Sequence, residues 1–162
     1  YSLVFNMILP NLIGDARRVR DLFDAEACYD RAMQEYIDAI GLSRFATGPR
    51  LKMANLYRDR HWPEFAMMEY LRVLKLDRKS ADARVADAEL RKYEGQTPEA
   101  DFHIALACLL HEDYAQAATL LQRFLDNHPA DVLAPKAAEV LAHLQVNDHR
   151  FVKRYLRDEI WI

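Results

Sequence analysis

The chain has 162 residues with 22 basic and 25 acidic side chains, a formal net charge of −3 with histidines neutral, which is the size of one ordinary domain. With 51% hydrophobic and 29% charged residues, it can bury a core and carries too little net charge to favour disorder. The weakly acidic balance removes the broad basic surface that nucleic acid held by its phosphates requires, and the four glycines, Gly14, Gly41, Gly48 and Gly95, leave no material for a phosphate-cradling loop.

With Tyr1 in place of methionine, the sequence is expected to be a processed product or a domain excised from a larger parent. The run from Tyr1 to Ile13 is apolar but shorter than a membrane span, and Asn6, Pro10 and Asn11 interrupt it. Residues 1–12 therefore read as a packing segment. The competing reading makes them the end of a membrane anchor, with Arg17, Arg18 and Arg20 as flanking charges.

From there the apolar residues recur at helical spacing, and no stretch alternates as a strand would. Between Tyr29 and Leu42 the set is Tyr29, Ala32, Met33, Tyr36, Ile37, Ala39 and Ile40, one buried helix face. Ala32, Tyr36, Ala39, Ile40 and Leu42 fall 34 residues before Ala66, Tyr70, Val73, Leu74 and Leu76. A repeat of that length holds two helices and two short turns, so residues 13–46 and 47–80 are predicted to be successive helical hairpins. Gly48-Pro49 and Trp62-Pro63-Glu64 mark helix starts in the second.

Residues 81–97 supply an extra, irregular helix, with Ala83, Ala86, Leu90 and Tyr93 on one stripe, Ser80 as N-cap and Gly95 as its stop. Thr97-Pro98-Glu99 opens the next helix. Residues 98–131 form a third unit with Ile104, Ala105, Cys108, Ala117, Leu121, Phe124 and Pro129, and Ala117 lies 51 residues after Ala66. Two arrangements stay open: Pro98 to Leu110 is the second helix of a hairpin begun at Ala81, or a single helix precedes a fresh repeat. Residues 132–162 read as a last helical pair that caps the array.

The 34-residue unit with Met53, Ala54, Tyr57, Ala66, Tyr70 and Val73 resembles the tetratricopeptide repeat. The unit at 98–131 fits with its closing Pro129. Arg20 and Arg78 depart from the pattern, Arg20 where a small residue is wanted. The resemblance implies an all-α fold, a right-handed superhelix of antiparallel helical hairpins with about eight to ten helices. It also implies a concave groove lined by first helices: Arg17, Asp21 and Asp24 from the first unit, and Leu51, Asn55, Arg58 and Asp59 from the second. Phe102, Leu106, Leu109 and Leu110 occupy the matching places in the third, where two readings stay open: burial under an adjacent helix, or an exposed apolar patch for a partner helix or a second copy of the chain. Family members that grip a terminal carboxylate carry lysine and asparagine where this chain has Arg17 and Asp21, then Leu51 and Asn55. The clamp is incomplete, and a segment of mixed charge is the expected ligand.

Catalytic chemistry is thinly supplied. Of three serines and three threonines, Ser80 and Thr97 read as caps. The histidine spacings do not reproduce a zinc-binding i, i+4 pair, and His111-Glu112-Asp113 falls in a predicted turn. Cys28 and Cys108 read as packing thiols. The expectation is a non-enzyme without cofactor, metal or small-molecule substrate that binds a protein or peptide and no nucleic acid. Membrane association would come through the parent chain, in which case the domain would serve a tethered assembly or export factor.

Overall fold

The computed structural model describes the backbone of residues 2–162 and the side chains of residues 17–162. It is all-helical among the described residues: α1 (Ser2–Leu42), α2 (Thr47–Asp59), α3 (Pro63–Leu76), α4 (Ala81–Arg91), α5 (Pro98–Leu110), α6 (Tyr114–Asn127), α7 (Ala134–Gln145) and α8 (His149–Glu159). The packing expected of residues 1–12 lies outside the described side chains.

Three hairpins, α2–α3, α5–α6 and α7–α8, turn by one backbone device. Each passes through a left-handed residue, His61 (φ 58°), Glu112 (φ 59°) or Asn147 (φ 55°). The next residue, Trp62, Asp113 or Asp148, is the N-cap of the second helix with ψ 73° in every case. Its amide donates back to the carbonyl of Tyr57, Cys108 or His143 at 2.9, 2.9 and 2.8 Å. Glu112 follows His61 by 51 residues and Asn147 follows Glu112 by 35. At the same spacings, Ala54, Ala105 and Val140 in the first helices and Ala66, Ala117 and Val152 in the second are all fully buried. In the first two pairs the alanines leave room for close helix packing, and in the third both places are taken by valine.

The first predicted hairpin is not formed. Residues 13–46 do not fold into two helices, because α1 runs unbroken for 41 residues, about 60 Å. Nothing between Asp15 and Cys28 reverses the chain: the stretch has no glycine or proline and is rich in alanine and arginine, which favour helix. The 34-residue correspondence therefore fails in three dimensions. Ala66, Tyr70 and Val73 have no exposed surface, whereas Ala32, Tyr36 and Ala39 are half-buried. The C-terminal half of α1 packs on α2 and lacks the first helix that a hairpin would have laid over it.

The helix α4 stands singly between the first two hairpins, touching α2, α3 and α5. Ser80 Oγ accepts from the Ala83 amide at 3.0 Å, and Gly95 takes φ 74° after its end. Thr97 Oγ1 caps α5 through the Ala100 amide at 3.1 Å. Every residue from Phe102 to Leu109 is buried, and α3, α4, α6 and α8 surround the helix. A helix apolar all round belongs in the middle. Beyond α8, Ile160 is fully buried and the last residues run back along α3. Lys75 donates to the Ile160 carbonyl, Arg72 Nε to the Trp161 carbonyl at 3.1 Å, and Arg44 to the Ile162 carbonyl.

Candidate protein-binding surface

Of the seven predicted groove residues, the structure gathers three. On α2, Arg58 Nη1 donates to Asn55 Oδ1 at 3.3 Å and pairs with Glu89 of α4 at 2.9 Å, while its Nη2 reaches Asp59 at 3.0 Å. The Tyr70 hydroxyl, from α3, donates to the same Asn55 oxygen at 2.8 Å. Burial works against the charged Arg58, but its hydrogen bonds to Glu89 and Asp59 outweigh that and hold its pKa above the usual value. Glu89 is held below the ordinary carboxylate range chiefly by Lys92, with Arg58 adding to it. The cluster is a fixed mixed-charge wall whose charges are internally satisfied.

Leu51 does not face a wetted groove, since it is buried in the core. Arg17, Asp21 and Asp24 lie in the exposed stretch 17–28 of α1, and the missing hairpin is what would have folded them toward α2. The apolar quartet resolves by burial. Phe102, Leu106 and Leu109 are at most 2% exposed, Leu110 is half-buried against the core, and Phe102 packs against Phe124 with ring centroids 5.9 Å apart. The exposed patch is thus corrected, and with it the basis for a second copy docking there.

The candidate cysteines and turn acids also separate. Cys108 is buried beside Arg91, whose Nη2 lies 3.7 Å from the sulfur, and burial raises its thiol pKa, which makes it a packing group. Cys28 is exposed, against the expectation of packing, because the helix that would have covered it is absent. Within His111-Glu112-Asp113, His111 meets Asp87 at 3.4 Å, Glu112 meets Arg78 at 3.4 Å, and Asp113 caps α6 through the Gln116 amide at 3.2 Å. The three side chains take three different partners.

Sequence reasoning missed the aromatic cluster at the α2–α3 turn. Tyr57 lies 5.4 Å from Phe65 and 6.1 Å from Trp62 between ring centroids, and Tyr29 of α1 meets Trp62 edge-on at 6.2 Å. The Arg60 guanidinium sits 4.4 Å from the Tyr29 ring centre and pairs with Glu26. Trp62 and Phe65 nevertheless remain 46% and 59% exposed. Beside them opens a cleft of about 550 Å³ lined by Arg58, Asp59, His61, Pro63, Tyr93 and Gln96. The signal was Trp62 directly before Pro63: the turn holds its indole outside the helix, where no core can take it. Comparison of the chain with protein-family models, with curated proteins and with solved structures finds no match.

Proposed function

We propose that the chain is a non-catalytic scaffold of tetratricopeptide type, a right-handed superhelix of helical hairpins that holds a segment of a partner protein. The supporting observation is the half-exposed aromatic pair Trp62 and Phe65 at the α2–α3 turn, whose His61 and Pro63 line the Arg58–Tyr93 cleft. Rigid aromatic side chains beside arginine are the residue types that carry most of the energy in protein interfaces. Tyr57, Tyr29 and Arg60 hold the pair in place, so a partner side chain meets a surface already ordered. Asn55, Arg58 and Asp59 supply the polar edge that sets the register of the bound segment.

The test is capture from cells that express the parent gene, with the domain and its Trp62→Ala, Phe65→Ala double variant as baits. The reading expects a protein retained by the first and lost from the second at unchanged helicity. Equal retention by both would overturn it. A second reading, a membrane-tethered assembly or export factor, is favoured by the unbroken α1 with residues 17–28 exposed along it. Among the described residues no helix is long and apolar enough to cross a membrane. That reading expects the full-length parent to sediment with membranes and resist alkaline washing, and recovery in the soluble fraction would contradict it.

A further inference from the structure

The helix α8 has two opposed faces. Val152, Leu156 and Ile160 beyond its end are buried, while Arg150, Lys153, Arg154 and Arg157, at i, i+3, i+4 and i+7, are all exposed and share one side of the helix. In a chain with three more acids than bases, such a stripe is a local reversal of charge. Some cations elsewhere meet acids distant in sequence, as Arg58 meets Glu89 and Arg123 meets Glu94, and others such as Arg31, Lys52 and Arg84 stand singly rather than in a stripe. On α8, Arg157 has its neighbour Asp158 at 3.3 Å, and Arg150, Lys153 and Arg154 have no ion pair among the described residues.

The end of α3 extends the same field. Lys75 Nζ reaches the Arg157 carbonyl at 3.3 Å, and its pKa is lowered by burial and then by Arg157. Arg78 and Lys79 follow in the exposed turn, where Asp77 accepts from the Lys79 amide at 3.1 Å and Glu112 meets Arg78. Between α8 and the ends of α3 and α5 lies a cleft of about 210 Å³ whose lining joins the apolar Leu109, Leu110, Val152 and Leu156 to Tyr114, to the cations Lys75, Lys153 and Arg157, and to one acid, Glu112, which is already engaged by Arg78.

We infer that this face docks an acidic segment of a protein, its carboxylates ranged along the α8 stripe and one apolar side chain set in the cleft. The charge pattern selects an acidic ligand, and the apolar part of the cleft lining selects a side chain, which neither the plane of an anionic bilayer nor a phosphate backbone offers. The site is separate from the aromatic cluster: Trp62 precedes the first residue of α3 and Lys75 stands in its last turn, about 20 Å along the axis.

The inference rests on the protein-binding reading only for its class of partner, and its test uses other residues. The probe is a labelled peptide of glutamate and serine, about twelve residues long with one central phenylalanine, titrated against the whole domain by fluorescence anisotropy. Arg150→Glu with Lys153→Glu is expected to weaken binding about tenfold or more. Both residues lie in the first half of α8, where acids suit the helix dipole, so the fold is kept; Lys153→Gln alone is expected to act in the same direction. Replacing the phenylalanine by glycine, or raising the salt, is expected to weaken binding as well. Equal affinity of the double variant and the parent, or indifference to the phenylalanine, would overturn the inference. So would stronger binding, lost in the double variant, to phosphatidylserine vesicles or to oligothymidine. Failure here with Trp62-dependent capture intact would remove this site alone.

Discussion

Ala66 and Ala117, 51 residues apart, occupy the same place in two hairpins, four residues after the N-caps Trp62 and Asp113 and without exposed surface. Each is fully buried in the core on the second helix of its pair. Extra methyl groups have nowhere to go, and overpacking of this kind costs about 1–3 kcal/mol. Ala66→Leu and Ala117→Leu are each expected to lose that much in chemical denaturation. Ala32→Leu, on the half-buried face of α1, is expected to change stability by less than about 0.5 kcal/mol. Equal losses at 32 and 66 would restore the equivalence that the long helix denies.

Arg50 and Glu69 form an ion pair at 3.4 Å with each side chain 7% exposed, and Arg72 adds a second contact to Glu69. Removing one member leaves a buried charge without its counter-ion, which costs about 3–5 kcal/mol. Glu69→Ala is therefore expected to unfold at much lower urea. Arg50→Met with Glu69→Leu is expected to recover most of the loss, and the urea midpoints of the three proteins decide it.

His103 gives the chain a pH dependence of known sign. Burial pushes its pKa down to about 4, and Glu159 only partly opposes this. The unfolded chain, with an ordinary histidine near pH 6.5, takes up the proton first as pH falls. Its contribution to stability is thus complete above about pH 6.5 and is lost on descending through about pH 4. The expected loss across that window is about 3 kcal/mol, and His103→Gln should flatten it. Urea titrations at stepped pH measure the slope, and a variant as steep as the parent would assign the dependence to other groups.

The two thiols are expected to react at different rates. Cys28 is exposed and Cys108 buried. A thiol reagent should modify one cysteine per chain in the native protein and two in denaturant, with Cys28→Ser abolishing the fast phase. Rapid labelling of Cys108 in the folded state would contradict the tight seat of α5.

Much of the helical content was legible because punctuation and period agree: Ser80 and Thr97 sit at caps, Pro63 and Pro98 open helices, and the 51-residue shift from Ala66 to Ala117 is a structural equivalence. The 34-residue shift was misleading. Two amphipathic helices of similar length match at one offset whether or not each has a partner, and the deciding signal was negative, the lack of a chain-reversing residue between Asp15 and Cys28. The burial of Phe102 and Leu109 could be read from α5 itself, whose apolar residues leave no polar face. The polar cluster was half legible. Asn55, Arg58 and Asp59 share one helix, but Glu89 and Tyr70 reach them from α4 and α3, a meeting that no local pattern encodes.

The most direct test of the binding account is site-specific photo-cross-linking in cells, with a photoreactive residue placed in turn at Trp62, Phe65 and, as a control, the 88% exposed Val132. The account predicts one discrete cross-linked partner at 62 and 65 and none at 132. Absence of any product at 62 and 65, or the same products at all three positions, would contradict it.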